Sequence, residues 1–109
     1  MSYKLQLSDN FQRQAKRLIK KYPSLKNELA EFANTIVENP VQGTPLGHQC
    51  YKIRLAISSK GKGKSGGARI ITHIHIAGTI VYLLAIYDKS EQNSLSNKDI
   101  LLLVRDVVK

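Results

Sequence analysis

Between Glu38 and Asp88 the chain carries no acidic residue, and within that interval stand Lys52, Arg54, Lys60, Lys62, Lys64 and Arg69. Tyr87 and Lys89 follow at its end. Cations gathered without carboxylates suit a polyanionic partner, most simply nucleic acid. They also suit phosphodiester chemistry. When the 2′-hydroxyl of RNA attacks the adjacent phosphorus, negative charge builds on the phosphoryl oxygens. A fixed guanidinium such as that of Arg69 answers that charge with two directed hydrogen bonds. A tyrosine can stack on a base or move a proton. A lysine serves as base only where burial and neighbouring cations lower its pKa from about 10.4. Residue types alone slightly favour a face that binds over one that cuts, and the plainest alternative is charge that serves solubility.

Other signals are weaker. Gly63-Lys64-Ser65 matches the end of a phosphate-binding P-loop, but Ser58 stands where the first glycine is needed, and the segment enters a strand instead of a helix. His73 and His75 lie two apart and would share a strand face, yet they lack a third ligand, so no metal site is expected. His73 is expected among the RNA-contacting residues, with Lys52, Arg54, Lys60 and Lys62. Cys50 is the only cysteine, which excludes an internal disulfide and a cysteine-based zinc site. Arg13, Lys16, Arg17, Lys20 and Lys21 recur at helical spacing and read as a solvated helix face.

The elements that must position these residues follow from periodicity. The 109 residues bear a formal charge of +9 and are 42% hydrophobic, which suits one folded domain spanning 1–109. No apolar run resembles a secretory signal or a membrane span, so a cytoplasmic protein is expected. Ser2 to Leu7 alternates as a first strand, and Ser8 or Asp9 can cap the helix after it. Phe11, Ala15, Leu18, Ile19 and Tyr22 make one apolar stripe; Leu25, Leu29, Phe32, Ala33, Ile36 and Val37 make a second. Pro23 separates the two helices, and Ser24 can cap the second. Residues 40–48 read as a loop. Strands are expected over about 49–57, 68–76 and 80–88, and Ser96 with Asp99 can cap a last helix in a capping box.

This order predicts an α+β domain, with a helical hairpin laid over one face of a small antiparallel-rich sheet. Ile53, Leu55, Ile70, Ile74, Ile76, Tyr82, Leu84 and Ile86 would face the hairpin, and the other face would stay open. A hairpin centred on Gly78 sets Arg69 opposite Tyr87 and Gly67 opposite Lys89. Arg69, Tyr87, Lys52 and Arg54 then point away from the helices.

The segment GKGKSGGARIIT (61–72), with VYLLAIYDKSEQNSLS (81–96), resembles the RelE/HigB branch of the RelE/ParE toxin superfamily. The combination Lys-Ser-Gly-Gly-x-Arg, then Tyr-x-Lys-x-Glu one hairpin later, carries the resemblance, which extends to the element order of the whole chain. It implies a ribosome-dependent messenger RNA interferase acting in the A site, without metal or cofactor, and neutralised by a cognate antitoxin. By position, Arg69 resembles the phosphate-stabilising arginine. Tyr87 and Lys89 resemble the stacking aromatic and the cation ending the hairpin. Lys64 resembles the loop lysine, and Lys52 and Arg54 the basic residues of the preceding strand. Glu91 reads as structural, holding a nearby cation. Thr72 stands where relatives carry an aromatic residue, and no histidine aligns as general base. The ParE branch shares the fold and inhibits gyrase, so a protein-binding toxin stays open as an alternative, as do a non-catalytic RNA-binding module and a decayed toxin that retains only antitoxin binding. Neither a membrane nor a small-molecule ligand is expected as partner.

Overall fold

The computed structural model describes residues 2–61, 66–92 and 94–108. The N-terminal alternation forms β1 (Lys4–Leu7), and the two apolar stripes form α1 (Asp9–Lys21) and α2 (Leu25–Glu38). Then come β2 (Thr44–Gly47), β3 (Cys50–Leu55), a 3-10 turn (Ser58–Lys60), β4 (Ala68–His75), β5 (Ile80–Asp88) and α3 (Asn97–Val107). The strands lie in the order β1-β5-β4-β3-β2, antiparallel except for β1 beside β5. This is the α+β arrangement that the element order predicts.

Local chemistry explains the boundaries. Ser8 caps α1: its hydroxyl oxygen accepts from the Phe11 amide at 3.0 Å and its hydroxyl donates to the Leu84 carbonyl at 3.0 Å. Ser96 and Asp99 form the expected capping box at the start of α3. Ser24 precedes α2 but makes no side-chain cap, because its hydroxyl bonds Glu28 and Ser59 instead.

Phe11, Ala15 and Leu18 of α1 and Leu25, Phe32 and Ile36 of α2 bury their stripes against Ile53, Ile57, Ile70, Val81, Leu83 and Ile86. Burying each large aliphatic side chain contributes about 1.5–3 kcal/mol. The hairpin face is therefore the principal core.

The β4–β5 ladder departs from a uniform register. Ile71 pairs with Ala85, but Thr72 pairs with Leu83, so Leu84 is an extra residue in β5. An extra residue reverses the alternation beyond it. Tyr82 and Leu84, expected beneath the helical hairpin, belong to the opposite face, and Ile76 lies past β4 and is exposed. β1 ends its pairing at Leu83, so the β5 backbone beyond it needs other partners. α1 supplies them: Asn10 donates to the Leu84 carbonyl at 3.0 Å, and the Gln14 side-chain oxygen accepts from the Ile86 amide at 3.1 Å.

Two further expectations are corrected. Residues 40–48, read as a loop, contain β2, an edge strand that tolerates Pro45 because it pairs only with β3. His48 and Gln49, with φ of 54° and 60°, turn the chain between them. The face opposite the hairpin is not left open either. Ile100 of α3, with Leu103, Val104 and Val107, closes a second cluster with Cys50, Ile71, Tyr82, Leu84, Ala85 and Tyr87.

Candidate functional site

Three neighbouring strands bring the expected residues into one row. Arg54 of β3 is opposite Arg69 of β4, and Arg69 is opposite Tyr87 of β5. Strands about 4.8 Å apart place the whole row within about 10 Å. Tyr87 belongs to the cluster beneath α3, so the row lies on the face away from the helical hairpin. Lys52, opposite Ile71, stands two residues along the same face and is half-buried, whereas Arg54 is exposed. Lys89 follows at the strand end, where its amide donates to the Gly67 carbonyl at 3.0 Å.

Gly67, two residues before Arg69, has a steric reason. A Cβ on Gly67 would sit 2.2 Å from the Leu55 carbonyl oxygen, so any other residue there would push β3 from β4 where their pairing begins, one pair before Arg69. Lys62 and Lys64 lie outside the described residues.

Burial distinguishes this site from the open face expected. Arg69 is only 5% exposed and Tyr87 3%. One Arg69 guanidinium nitrogen donates to the Ala68 carbonyl at 3.1 Å. The Tyr87 hydroxyl has no hydrogen-bond partner among the described residues. Burial pushes the Tyr87 phenol above its ordinary pKa, and the neighbouring Arg69 charge partly opposes that. Tyr87 also lines a cleft of about 260 Å³ between α1, β5 and α3, together with Asn10, Gln14, Gln92, Asp99 and Leu102. Asp99 is a carboxylate at a site expected to have none, although it already accepts from the Ser96 amide at 3.3 Å.

Two expected members sit elsewhere. The Lys60 ammonium donates to Asp88 and, at 3.0 Å, to Ser90, and its side chain is almost wholly buried. It also lies over the Tyr22 ring, 5.7 Å from the centroid. Lys60 thus neutralises a buried carboxylate and presents no charge to the row. His73 is on the same face as Arg69 but buried, with its Nδ1 3.5 Å from Cys50 Sγ and its ring 6.2 Å from that of Tyr82. Burial lowers its pKa, which keeps the imidazole neutral. Glu91 does hold nearby cations: Arg17 at 2.9 Å and Lys21 at 3.6 Å.

Sequence reading passes over Asp88, which is fully buried and accepts from Tyr22, Lys60 and Ser90. Alternation carried the signal. An acid that faces inward at a strand end, between two outward-facing site residues, needs partners.

A second concavity lies on the far side of the molecule. Leu5, Leu7, Phe11, Ala15, Ile19 and Leu29 line an apolar groove of about 600 Å³ between α1 and α2, with Lys16, Lys20 and Lys26 along it.

The family model described as the RelE toxin of the RelE/RelB toxin–antitoxin system matches residues 4–105. The chain belongs to the RelE toxin family. Solved structures share its fold. A free-state double arginine-to-alanine mutant of Escherichia coli RelE is 15% identical, with 99% of this chain and 100% of that chain covered and a TM-score of 0.65. Isolated E. coli RelE is 16% identical over 95% and 98% of the two chains, at a TM-score of 0.61. In the RelBE2 toxin–antitoxin complex of Mycobacterium tuberculosis the matching chain is 18% identical, with 81% of this chain and 99% of that one covered, at 0.60. Among the described residues, no helix of this RelE-family chain is long and apolar enough to cross a membrane.

Proposed function

We propose that this toxin is a messenger RNA endonuclease that acts on the ribosome by attack of the RNA's own 2′-hydroxyl. The observation that carries the reading is the row Arg54–Arg69–Tyr87 on one sheet face. Arg69, held by its own strand, meets the charge that develops on the phosphoryl oxygens. The Tyr87 phenol, pushed up by burial, stays protonated at neutral pH and is a proton donor or a stacking surface, not a base. RNA reaches it through the cleft beside α3. Lys89 adds to the cationic surround, and Lys52 and Arg54 hold the RNA backbone; Lys64 and Lys62, outside the described residues, keep the catalytic and RNA-binding roles expected from the sequence. Each participant is a side chain, so the reading needs no metal or cofactor. The 2′-hydroxyl gives up its proton as its oxygen bonds to phosphorus, the bond to the 5′ oxygen breaks, and that oxygen takes up a proton, so no proton is gained or lost overall. The products carry a 2′,3′-cyclic phosphate and a 5′-hydroxyl.

End mapping of messenger RNA after induced expression tests this. Cuts within translated codons, with 5′-hydroxyl ends, support the reading. Products with 5′-phosphates contradict it, because that end group requires attack by water. Growth arrest without cuts, accompanied by blocked DNA supercoiling, would select the gyrase-inhibiting alternative.

The partner in this reading is a cognate antitoxin encoded alongside. The groove between α1 and α2 has an apolar floor and three lysines, which matches an amphipathic helix carrying acidic residues. Ala30 lines the groove and is exposed, so Ala30→Glu should leave the fold and RNA cleavage unchanged. It should reduce antitoxin copurification at least tenfold, about 1.4 kcal/mol. Undiminished copurification places the antitoxin elsewhere.

A further inference from the structure

The one carboxylate between the two hairpin-end site residues sits inside the protein. Tyr87 points to the α3 face, and Asp88 is next, with 0% exposure. A buried carboxylate is costly unless its oxygens are bonded. Here they are: Oδ2 accepts from the Tyr22 hydroxyl at 2.6 Å, and Oδ1 accepts from Lys60, from the Ser90 amide at 2.9 Å and from the Ser90 hydroxyl at 2.8 Å. The Asp88 carbonyl accepts from the Glu91 and Gln92 amides at 3.0 and 3.1 Å. One residue therefore ties three segments together: the end of α1 through Tyr22, the 3-10 turn through Lys60, and the turn that carries Lys89 through Ser90.

Its neighbours in this region do less. The Arg17 and Lys21 pairs with Glu91 reach the same turn but lie in solvent, where such pairs hold little. Lys60 and Asp88 are both removed from water, so their attraction is poorly screened, and they form a fixed point rather than a loose tether. The partners around Asp88 favour its ionised form, so the pair persists across the physiological pH range.

We propose that Asp88 is the positioning residue of the site: its buried pair with Lys60, extended through Ser90, sets the place of Lys89 relative to Tyr87 without touching the RNA. The proposal rests on the endonuclease reading for its effect on rate, but not for its effect on structure. Positioning of reacting groups is sensitive to shifts of about 1 Å, so its loss lowers kcat more than it weakens RNA binding.

The experiment separates fold from position. Asp88→Asn alone strands the Lys60 charge in the interior and can unfold the protein. The informative variant is therefore Asp88→Asn with Lys60→Met, which removes both charges together and keeps the volumes close. Thermal unfolding and amide hydrogen exchange are measured first. The double variant is expected to keep the wild-type Tm within a few degrees and normal protection in β4 and β5, with faster exchange at 88–92. On ribosome-bound message, kcat is expected to fall about tenfold or more, with KM within about twofold. Ser90→Ala, which removes one arm only, should give a smaller loss in kcat. A folded double variant with wild-type exchange at 88–92 overturns the proposal, whether or not the protein cuts RNA. So does one with altered exchange but wild-type kcat. If the wild-type protein cuts nothing, the endonuclease reading fails, and the exchange measurement alone decides whether Asp88 holds the turn.

Discussion

Arg69 and His73 stand four residues apart on one face of β4, and both are more than nine-tenths buried. Their surroundings are opposite in kind. His73 is closed in by Cys50 and the Tyr82 ring, and the Cys50 thiol is pushed up to about 11 by burial, so neither member of that pair ionises near neutral pH. Arg69 lies beside a phenol whose hydroxyl has no partner among the described residues and which lines a cleft. Burial of polar groups is common to the two ends. Unpartnered buried polar atoms occur at both ends, at Thr72 and His75 as well as at Tyr87. What separates the ends is the cleft that Tyr87 lines: an unpartnered hydroxyl beside a cavity has capacity left for a ligand.

Removing Arg69 is the strongest way to break this contrast. On the proposed endonuclease reading, Arg69→Ala should lower the cleavage rate by a hundredfold or more, by deleting the donor assigned to the developing phosphorane charge. The burial of Arg69 means that the variant also leaves a cavity, so folding must be checked by circular dichroism and unfolding. Arg69→Lys keeps the charge but loses the planar fork, and should recover only part of the rate. A folded Arg69→Ala that cuts ribosome-bound message at the wild-type rate removes Arg69 from the chemistry.

Tyr87 gives a smaller effect that sharpens the comparison. Its hydroxyl makes no hydrogen bond among the described residues, so Tyr87→Phe loses no native contact of that kind and should fold as the parent does. If the phenol donates a proton, Tyr87→Phe and Tyr87→Ala should be comparably slow, each by roughly ten- to a hundredfold. If the ring only stacks, Tyr87→Phe should stay within about threefold of wild type while Tyr87→Ala falls further. Wild-type rates for both variants would mean that the cleft at Tyr87 is not where RNA binds.

Much of this was legible in the residues, and the failures have causes. Periods of 3.6 and 2 located the helical hairpin, β3, β4 and β5, because each buries one continuous face. The expected Arg69–Tyr87 pairing holds by compensation: the turn is centred between Ala77 and Gly78, with His75 opposite Ile80, instead of on Gly78, and the extra residue in β5 shifts the register back on the Asp88 side. Tyr82 and Leu84 were misplaced because the extra residue in β5 is supported by Asn10 and Gln14, over seventy positions away. β2 was hidden by Pro45 and by a turn with no Asn-Gly or Asp-Gly signal. The place of α3 was not legible, because its contact through Ile100, Leu103, Val104 and Val107 is with strands distant in sequence, on the face expected to stay open. Lys60 looked like its basic neighbours because its acidic partner is twenty-eight positions on.

The smallest expected effect concerns His73, and it tests the end of the sheet away from the cleft. His73→Leu should leave cleavage within about twofold of wild type, since the imidazole is buried against Cys50 and the Tyr82 ring, with His48 and His75 as its titratable neighbours, away from Arg69 and Tyr87. Its signature is in the pH dependence of stability. Burial holds the folded pKa below the unfolded value of about 6.5. Below that unfolded value the unfolded chain therefore binds a proton that the native protein does not, and stability falls as pH drops from about 6.5 towards the folded pKa. One proton changes stability by at most about 1.4 kcal/mol per pH unit, and below the folded pKa the loss stops growing. Urea unfolding at pH 7.5 and pH 5 measures it: wild type should lose more of its midpoint than His73→Leu between the two. Equal losses would show that His73 titrates alike in both states, in which case the Cys50 end of the sheet is open to solvent and as accessible to RNA as the Arg69 end.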